Sequence, residues 1–229
     1  AAVRPAGPPR LSYVQVEDYL ACPLKYRFRH VMRVPVLPHH SLVFGRVLHA
    51  AIYAYLRQKM KGRRPDERFL LEAYAASWVN EGYLSREHEE LRRAAGERAL
   101  RLFHAREEAS AEWPAFLERP FRWQEGGLRF SGRFDRVDFG ADGAVVIDYK
   151  TTEVDSQKDA DKAAAASLQL DIYALSFLKT EGMLPVECRL HFLGADLIGR
   201  AAKGEKELRR AEEKIRATAA ASRALAPSP

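Results

Sequence analysis

The alternation of hydrophobic and polar residues predicts a helical first half of the chain. Ser12 can cap a helix over residues 13–21, and the Cys22-Pro23 pair ends it. Further helical patterns follow at 46–60, 66–80 and 86–109.

After Pro114 the pattern changes to short runs that are typical of strands. Three strands are predicted at 117–125, 128–139 and 144–150, with turns at Gly126-Gly127 and Asp142-Gly143. They precede a helix at 158–180, a strand at 186–193, an extended piece to Arg200 and a helix at 204–217. This order predicts an α/β fold, with a central mixed β-sheet flanked by helices and a helical N-terminal portion.

Composition narrows the class of protein. Of 229 residues, 47% are hydrophobic and 30% charged, which is typical of a globular protein with a sizeable core. The net charge of +6 hints at a polyanionic partner without proving one. No apolar run approaches the ~18 residues of a membrane span, and the first ten residues have no signal-peptide core. A cytoplasmic enzyme or a nucleic-acid-binding domain is therefore expected, with no membrane partner.

Both chain ends are rich in proline and small residues. Residues 1–10 are predicted to be a linker and 218–229 a tail. Between them, 11–217 would form one domain, with a helical part at 11–110 and a core at 115–217. Such ends fit a domain cut from a longer polypeptide, and ordinary frayed termini fit the composition equally well.

The predicted hairpin carries the candidate chemistry. Asp148 and Lys150 are two residues apart on one strand, so their side chains leave the same face. If the hairpin turns on Asp142-Gly143, Asp135 lies opposite Lys150 and joins them. An isolated D-x-K is more often an ion pair at a strand end. Further ligands would favour a divalent metal ion between the two acids.

Three more residues are candidates for the same site. His49 lies on a predicted helix after Gly45, and Gln169 and Tyr173 share one face of a later helix. Each of them, taken alone, is more often a packing residue than a functional one.

The motifs together resemble the PD-(D/E)xK nuclease superfamily, and within it the RecB-like branch. The matching segments are S-Y-x-Q-x-E-x-Y-x-x-C-P (12–23), G-x-x-x-H (45–49), G-R-F-D-R-V-D (132–138), V-I-D-Y-K-T (146–151) and Q-L-D-I-Y (169–173). They cover about residues 11–200 in the family's order. The sequence between these motifs is similar to the C-terminal nuclease domain of bacterial UvrD/Rep-type helicases.

The resemblance implies a restriction-endonuclease-like core and a role for each motif residue. Mg²⁺ or Mn²⁺ would be held by His49, Asp135, Asp148 and the backbone carbonyl of Tyr149. Lys150 corresponds to the catalytic lysine. Gln169 and Tyr173 correspond to the motif that orients this lysine and contacts DNA.

The implied function is metal-dependent DNA hydrolysis, in an exonuclease domain fused to a helicase motor and acting in the processing and repair of DNA ends. One alternative is a non-catalytic DNA-binding or scaffold module on the same fold. Another is a free-standing exonuclease of the type used in CRISPR adaptation.

A basic segment near the N-terminus is the candidate DNA-binding surface. Basic and aromatic residues alternate in it, which suits phosphate contacts and base stacking. Its predicted DNA contacts are Lys25, Tyr26, Arg27, Arg29 and Arg33, with Phe28 as a further stacking residue. For any single one of these residues, a solvated basic face is the slightly favoured interpretation.

The two cysteines mark a departure from part of the family. Iron–sulfur members of this branch use one cysteine near the N-terminus and three near the C-terminus. Cys22 stands at the first position, but Cys188 falls in a predicted strand and is expected in the core. An iron–sulfur cluster therefore cannot be assembled in this chain as given. Either this lineage lacks the cluster, or the chain stops before the other cysteines.

Overall fold

The computed structural model describes residues 10–224 and has a six-stranded mixed sheet with helices on both faces. The helices are α1 (Tyr13–Ala21), α2 (Pro23–Tyr26), α3 (His40–Met60), α4 (Glu67–Ser77), α5 (Arg86–Ala109), α6 (Gln157–Ala166), α7 (Leu168–Glu181) and α8 (Glu205–Ala224). A π-helical turn, Arg27–Val31, follows α2. The strands are β1 (Arg10–Leu11), β2 (Pro114–Glu125), β3 (Leu128–Gly140), β4 (Gly143–Lys150), β5 (Glu187–Phe192) and β6 (Leu197–Ala201).

The sheet is mixed because its connections alternate between hairpins and a crossover. Strand order is β1-β3-β4-β5-β6, and β2 pairs with β3. The β2–β3, β3–β4 and β5–β6 pairs are antiparallel, whereas β1–β3 and β4–β5 are parallel. The parallel step from β4 to β5 passes through α6 and α7, as a crossover requires. The predicted α/β class with a central mixed sheet is confirmed.

Strand β4 divides the hydrophobic core into two clusters. Val146 packs in the cluster that contains the buried face of α7, whereas Val145 and Ile147 pack in the cluster built on α3 and α5. This burial on both faces explains why β4 is apolar nearly throughout. Because side chains alternate along a strand, Asp148 lies on the same face of β4 as Val146, and its carboxylate points towards α7.

The structure corrects several predicted boundaries. Helix α3 begins at His40 rather than at 46, so Gly45 lies inside it. The helix predicted over 158–180 is two helices, because the Ser167 side chain accepts a hydrogen bond from the Leu170 amide and starts α7 anew. Helix α8 continues to Ala224, seven residues into the predicted tail, and Arg10 belongs to β1. The rest of the predicted linker and tail lies outside the described residues.

The predicted register of the β3–β4 hairpin is also wrong. Gly140 pairs with Gly143, so the turn consists of the two residues between them and the register shifts by two. Gly143 has φ +138°, which glycine alone adopts readily, and it begins the strand instead of forming the turn. A shift of two residues preserves the predicted alternation across the hairpin, so Asp135 still lies next to Asp148.

In the described part of the chain, no helix combines the length and the apolar character needed to cross a membrane.

Candidate active site

Two carboxylates meet where β3 and β4 run side by side. Arg136 pairs with Ile147, which places Asp135 beside Asp148 at the next step. The Tyr149 amide donates a hydrogen bond to Asp135 Oδ2 at 3.1 Å. Asp148 is only 2% exposed. The hairpin thus brings two acids together at the end of β4, and at least Asp148 is buried there.

Lys150 completes the group from the same face of β4. Its Nζ lies 2.7 Å from Asp148 Oδ2 and donates to Gln169 Oε1 at 2.5 Å. Gln169 Nε2 in turn donates to Asp148 Oδ1 at 2.6 Å and lies 3.0 Å from the Tyr173 hydroxyl. One amide from α7 therefore ties together the acid, the lysine and the tyrosine.

His49 reaches the two acids from α3, on the other side of the strand end. Its Nε2 lies 3.1 Å from the Tyr149 carbonyl oxygen, and its Nδ1 lies 3.5 Å from Asp135 Oδ2. Gly45, one turn earlier on α3, lies next to Thr151, where a side chain would make only an ordinary contact. A β-carbon at Gly45 would be 3.7 Å from the threonine hydroxyl. The structure therefore brings together His49, Asp135, Asp148, Tyr149, Lys150, Gln169 and Tyr173, which the sequence had assigned to one site.

Glu118 on β2 is a neighbour of this site that sequence reasoning missed. One ligand atom each from Glu118, His49 and Asp135 lies within 4.8 Å of the other two. Glu118 has φ +49°, in the left-handed region, although it is a strand residue. No local sequence signal marks such a position.

Burial and mutual repulsion shape the electrostatics. The pKa of Asp135 is raised well above its ordinary value by burial and then by the charge of Asp148. The pKa of Tyr173 is raised by burial and by the charges of Asp148 and Asp135. Tyr13 of α1 is also close enough to Asp148 to be affected by its charge. The pKa of Tyr13 is raised by burial, by its hydrogen bond to Glu17 and by the charge of Asp148. Two close acids in a buried place favour a cation between them.

The donor set fits a hard divalent metal ion. It offers carboxylate oxygens from Asp135 and Asp148, the Tyr149 carbonyl oxygen and one imidazole nitrogen from His49. Asp148 Oδ2 is buried and accepts no hydrogen bond of good geometry, although Lys150 lies within ion-pair distance. A buried carboxylate oxygen with a free lone pair is a suitable ligand for Mg²⁺ or Mn²⁺.

The predicted DNA-binding residues differ in their surroundings. Asp18 is 1% exposed; Lys25 and Arg29 form ion pairs with it at 2.8 and 3.1 Å, and His30 Nε2 lies 2.7 Å from its carboxylate. Tyr26 is 4% exposed and packs edge-to-face against Tyr19, so its ring face has little room for a base.

Three other residues of this segment are open to solvent. Arg27 and Arg33 are exposed, and so is half of the Phe28 side chain. Among the predicted contacts, Arg27 and Arg33 are thus exposed cations outside the Asp18 cluster and Phe28 is an exposed ring, whereas the exposed Lys25 pairs with Asp18.

The two cysteines lie in different environments. Cys188 is buried in β5, as its strand position predicted, and burial raises the pKa of its thiol to about 12. Cys22 is exposed at the junction of α1 and α2.

Comparison with known proteins shows the family and the fold of this chain. The profile of the PD-(D/E)XK nuclease superfamily matches residues 10–228. The crystal structure of a candidate exonuclease from Eubacterium rectale superposes with a TM-score of 0.57 at 10% identity, over 95% of this chain and 83% of that one. At this identity the likeness shows the fold alone. The crystal structure of SSO0001 reaches a TM-score of 0.38 at 15% identity, over 94% and 84% of the two chains, which is too low to carry an argument. No curated protein matches the chain.

Proposed function

We propose that this chain, which belongs to the PD-(D/E)XK nuclease superfamily, hydrolyses phosphodiester bonds of DNA with a divalent metal ion. The observation that carries the proposal is the meeting of Asp135, Asp148 and Lys150 at one strand end, with Gln169 bonded to both Asp148 and Lys150. A purely structural ion pair needs neither a second buried acid beside it nor a histidine from another helix.

Each residue has a distinct part in the proposed reaction. His49, Asp135, Asp148 and the Tyr149 carbonyl would hold the cation. When bound, Mg²⁺ or Mn²⁺ would acidify the attacking water and neutralise charge on the scissile phosphate. Lys150 would position that water and stabilise the negative charge that develops on the phosphate oxygens. Because a nitrogen ligand suits Mn²⁺ better than Mg²⁺, Mn²⁺ should give the higher rate.

Gln169 would act through Lys150 and Asp148 rather than on the substrate itself. Its amide oxygen accepts from the lysine while its amide nitrogen donates to the acid. The side chain therefore fixes the distance between the two. Tyr173 is buried below this amide and supports it.

The basic segment would guide the DNA strand. No Asp or Glu lies between Asp18 and Asp66, a stretch that holds ten Lys or Arg residues and includes α3 with His49. Such an acid-free stretch beside the site suits a polyanion. Arg27 and Arg33 would contact phosphates, and Phe28 would stack on a base. Lys25 and Arg29 would contribute less, because Asp18 already neutralises part of their charge.

The finer assignment rests on the motif resemblance. We infer a RecB-like exonuclease domain of a cytoplasmic helicase–nuclease that acts on DNA ends in repair. The similarity of the stretches around α7 and β6 to helicase-associated nuclease domains supports this assignment.

The test is a cleavage assay on single- and double-stranded DNA. Substrates labelled at either end are incubated with Mn²⁺, Mg²⁺ or EDTA, and the wild type is compared with Lys150→Ala and Asp135→Ala. We expect metal-dependent products from the wild type and a loss of at least about 100-fold in either variant. Exonuclease action would release mononucleotides or short products from one labelled end first.

A matched control is Lys158→Ala, which removes an exposed lysine on α6. It should cleave at the wild-type rate. If the wild type binds DNA without cutting it under all three conditions, the scaffold function is the better account. If Lys150→Ala keeps full metal-dependent activity, the site assignment is wrong.

A further inference from the structure

We propose that Glu118 is a further protein ligand of the divalent metal ion, from a strand that the motifs do not cover. The inference rests on the proposed function for the presence of the metal. Glu118 would be a fourth side-chain ligand beside His49, Asp135 and Asp148, and would bind the ion from the side of His49 and Asp135.

Near Glu118 the side chains of β2 no longer alternate regularly between the two faces of the sheet. In a regular strand Leu117 and Phe121 would share one face, because they are four residues apart. Here Phe121 packs in the cluster on the α7 side, whereas Leu117 packs against the cluster on the α3 side. The exchange takes place between them, where Glu118 has φ +49°.

The same change occurs on the facing strand. Phe134 and Arg136 would also share a face in a regular strand. Yet Phe134 packs in the cluster on the α7 side, while Arg136 bonds Glu107 of α5 on the other side. Asp135 lies at this change, directly across from Glu118 by the pairing of Leu117 with Arg136 and of Arg119 with Phe134. The paired irregularity is what brings the two carboxylates to one place.

The distances suit one ion shared by the three side chains. Two ligands of the same cation are separated by at most twice the metal–ligand distance, which is about 2.1 Å for Mg²⁺, and side chains with no ion between them can lie a few tenths of an ångström farther apart. The ligand atoms of Glu118, His49 and Asp135 lie within 4.8 Å of one another. Asp148 lies beside Asp135 in the register of β3 and β4, with its buried Oδ2 2.7 Å from Lys150 Nζ.

The ion pair of Glu118 does not explain its conformation. Arg133 Nε lies 2.7 Å from Glu118 Oε2, but the arginine side chain is 63% exposed. Exposed pairs of this kind contribute little to stability. A glycine would occupy φ +49° without strain. A strained glutamate held beside another acid is better explained by a ligand that both carboxylates bind.

The test measures metal binding directly, with or without DNA. Mn²⁺ affinity of the full chain is measured by calorimetry for the wild type, Glu118→Gln and Asp135→Asn. Glu125→Gln serves as the matched control, because Glu125 lies on the same strand and pairs with Lys179 instead. We expect Glu118→Gln to weaken Mn²⁺ binding about 10-fold or more. Glu125→Gln should leave it unchanged.

A second variant separates the metal from the ion pair. If Glu118 acts only through Arg133, then Arg133→Gln and Glu118→Gln should have the same effect. If Glu118 binds the metal, Arg133→Gln should bind Mn²⁺ at least as tightly as the wild type, because a competing cation is gone. Glu118→Gln should also reduce the rise in thermal midpoint that Mn²⁺ causes, while its circular dichroism remains that of the folded protein.

The outcomes distinguish this inference from the proposed function. Unchanged Mn²⁺ affinity in Glu118→Gln, with loss in Asp135→Asn, would overturn the role of Glu118 alone. Mn²⁺ binding that depends on Glu118 in a protein that cuts no DNA would overturn the nuclease function and support the ligand. A wild type that binds no Mn²⁺ would overturn both.

Discussion

Replacing Gln169 by leucine would test whether the site depends on the geometry between Lys150 and Asp148. Leucine is similar in size and apolar, so it removes the amide without opening a large cavity. Two of the lost hydrogen bonds involve charged partners, Lys150 Nζ at 2.5 Å and Asp148 Oδ1 at 2.6 Å. Hydrogen bonds to charged groups contribute about 1.5–3 kcal/mol each.

The lysine and the acid remain within 2.7 Å of each other, so only part of this interaction energy is lost from the transition state. A loss of about 2.7 kcal/mol corresponds to about 100-fold in rate. We therefore expect Gln169→Leu to cleave DNA about 100-fold more slowly. Mn²⁺ affinity should change by less than about 3-fold, because the carboxylates stay in place. The Tyr173 hydroxyl loses a partner, which should cost roughly 1–3 kcal/mol of stability.

The assay is single-turnover cleavage of end-labelled single-stranded DNA at saturating Mn²⁺, with affinity measured separately. Gln124→Leu is the matched control, since Gln124 is exposed on β2 and bonds only the side chain of Arg129 in the described structure. Cleavage by Gln169→Leu within about 3-fold of the wild type would refute the positioning role. A parallel loss of Mn²⁺ affinity and rate would instead make Gln169 a support of the metal ligands.

Three further predictions concern stability. In EDTA at pH 7.5, Asp135→Asn should be more stable than the wild type by about 1.4 kcal/mol for each unit by which folding raises the Asp135 pKa. This difference in stability should shrink towards pH 4, where the carboxyl group of the unfolded chain titrates. Equal urea midpoints at pH 7.5 would contradict the prediction. Asp18→Asn should lose roughly 1–3 kcal/mol above pH 4, because the contacts of Lys25, His30 and Arg29 outweigh the effect of burial and lower the Asp18 pKa. The difference should fade in acid, as urea titrations at several pH values can measure. Gly199→Ala should lower the thermal midpoint while Gly194→Ala does not, because a β-carbon at Gly199 would lie 2.0 Å from the Ala160 carbonyl oxygen.

The order of elements could be predicted because it depends on local periodicity. The strands β2 to β4 and helix α5 lie close to their predicted positions. The start of α3 could not be predicted, because glycine disfavours a helix interior and the tertiary packing of α3 overrides that preference. Such packing is a tertiary property, and the sequence around Gly45 gives no sign of it.

The site was predictable as far as its residues follow strand and helix periods. Asp148 and Lys150 share a face by alternation, and Gln169 and Tyr173 by helical spacing, so each pair was predicted without knowing the hairpin register. The exact pairing across the hairpin depended on whether Gly143 lies in the turn or in the strand. Because the error was two residues, it preserved the face and therefore the predicted cluster.

Glu118 shows where such reasoning ends. Regular alternation cannot predict that two paired strands change face at the same level, since the change strains the backbone at Glu118 and depends on the packing around it. The consequence is chemical as well as structural. The α7 side of the site is closed by the hydrogen bonds of Gln169, whereas the side formed by His49, Asp135 and Glu118 gathers carboxylates with few donors. The first side can orient Lys150, while the second concentrates carboxylates, and this asymmetry favours the side of His49, Asp135 and Glu118 for the proposed cation.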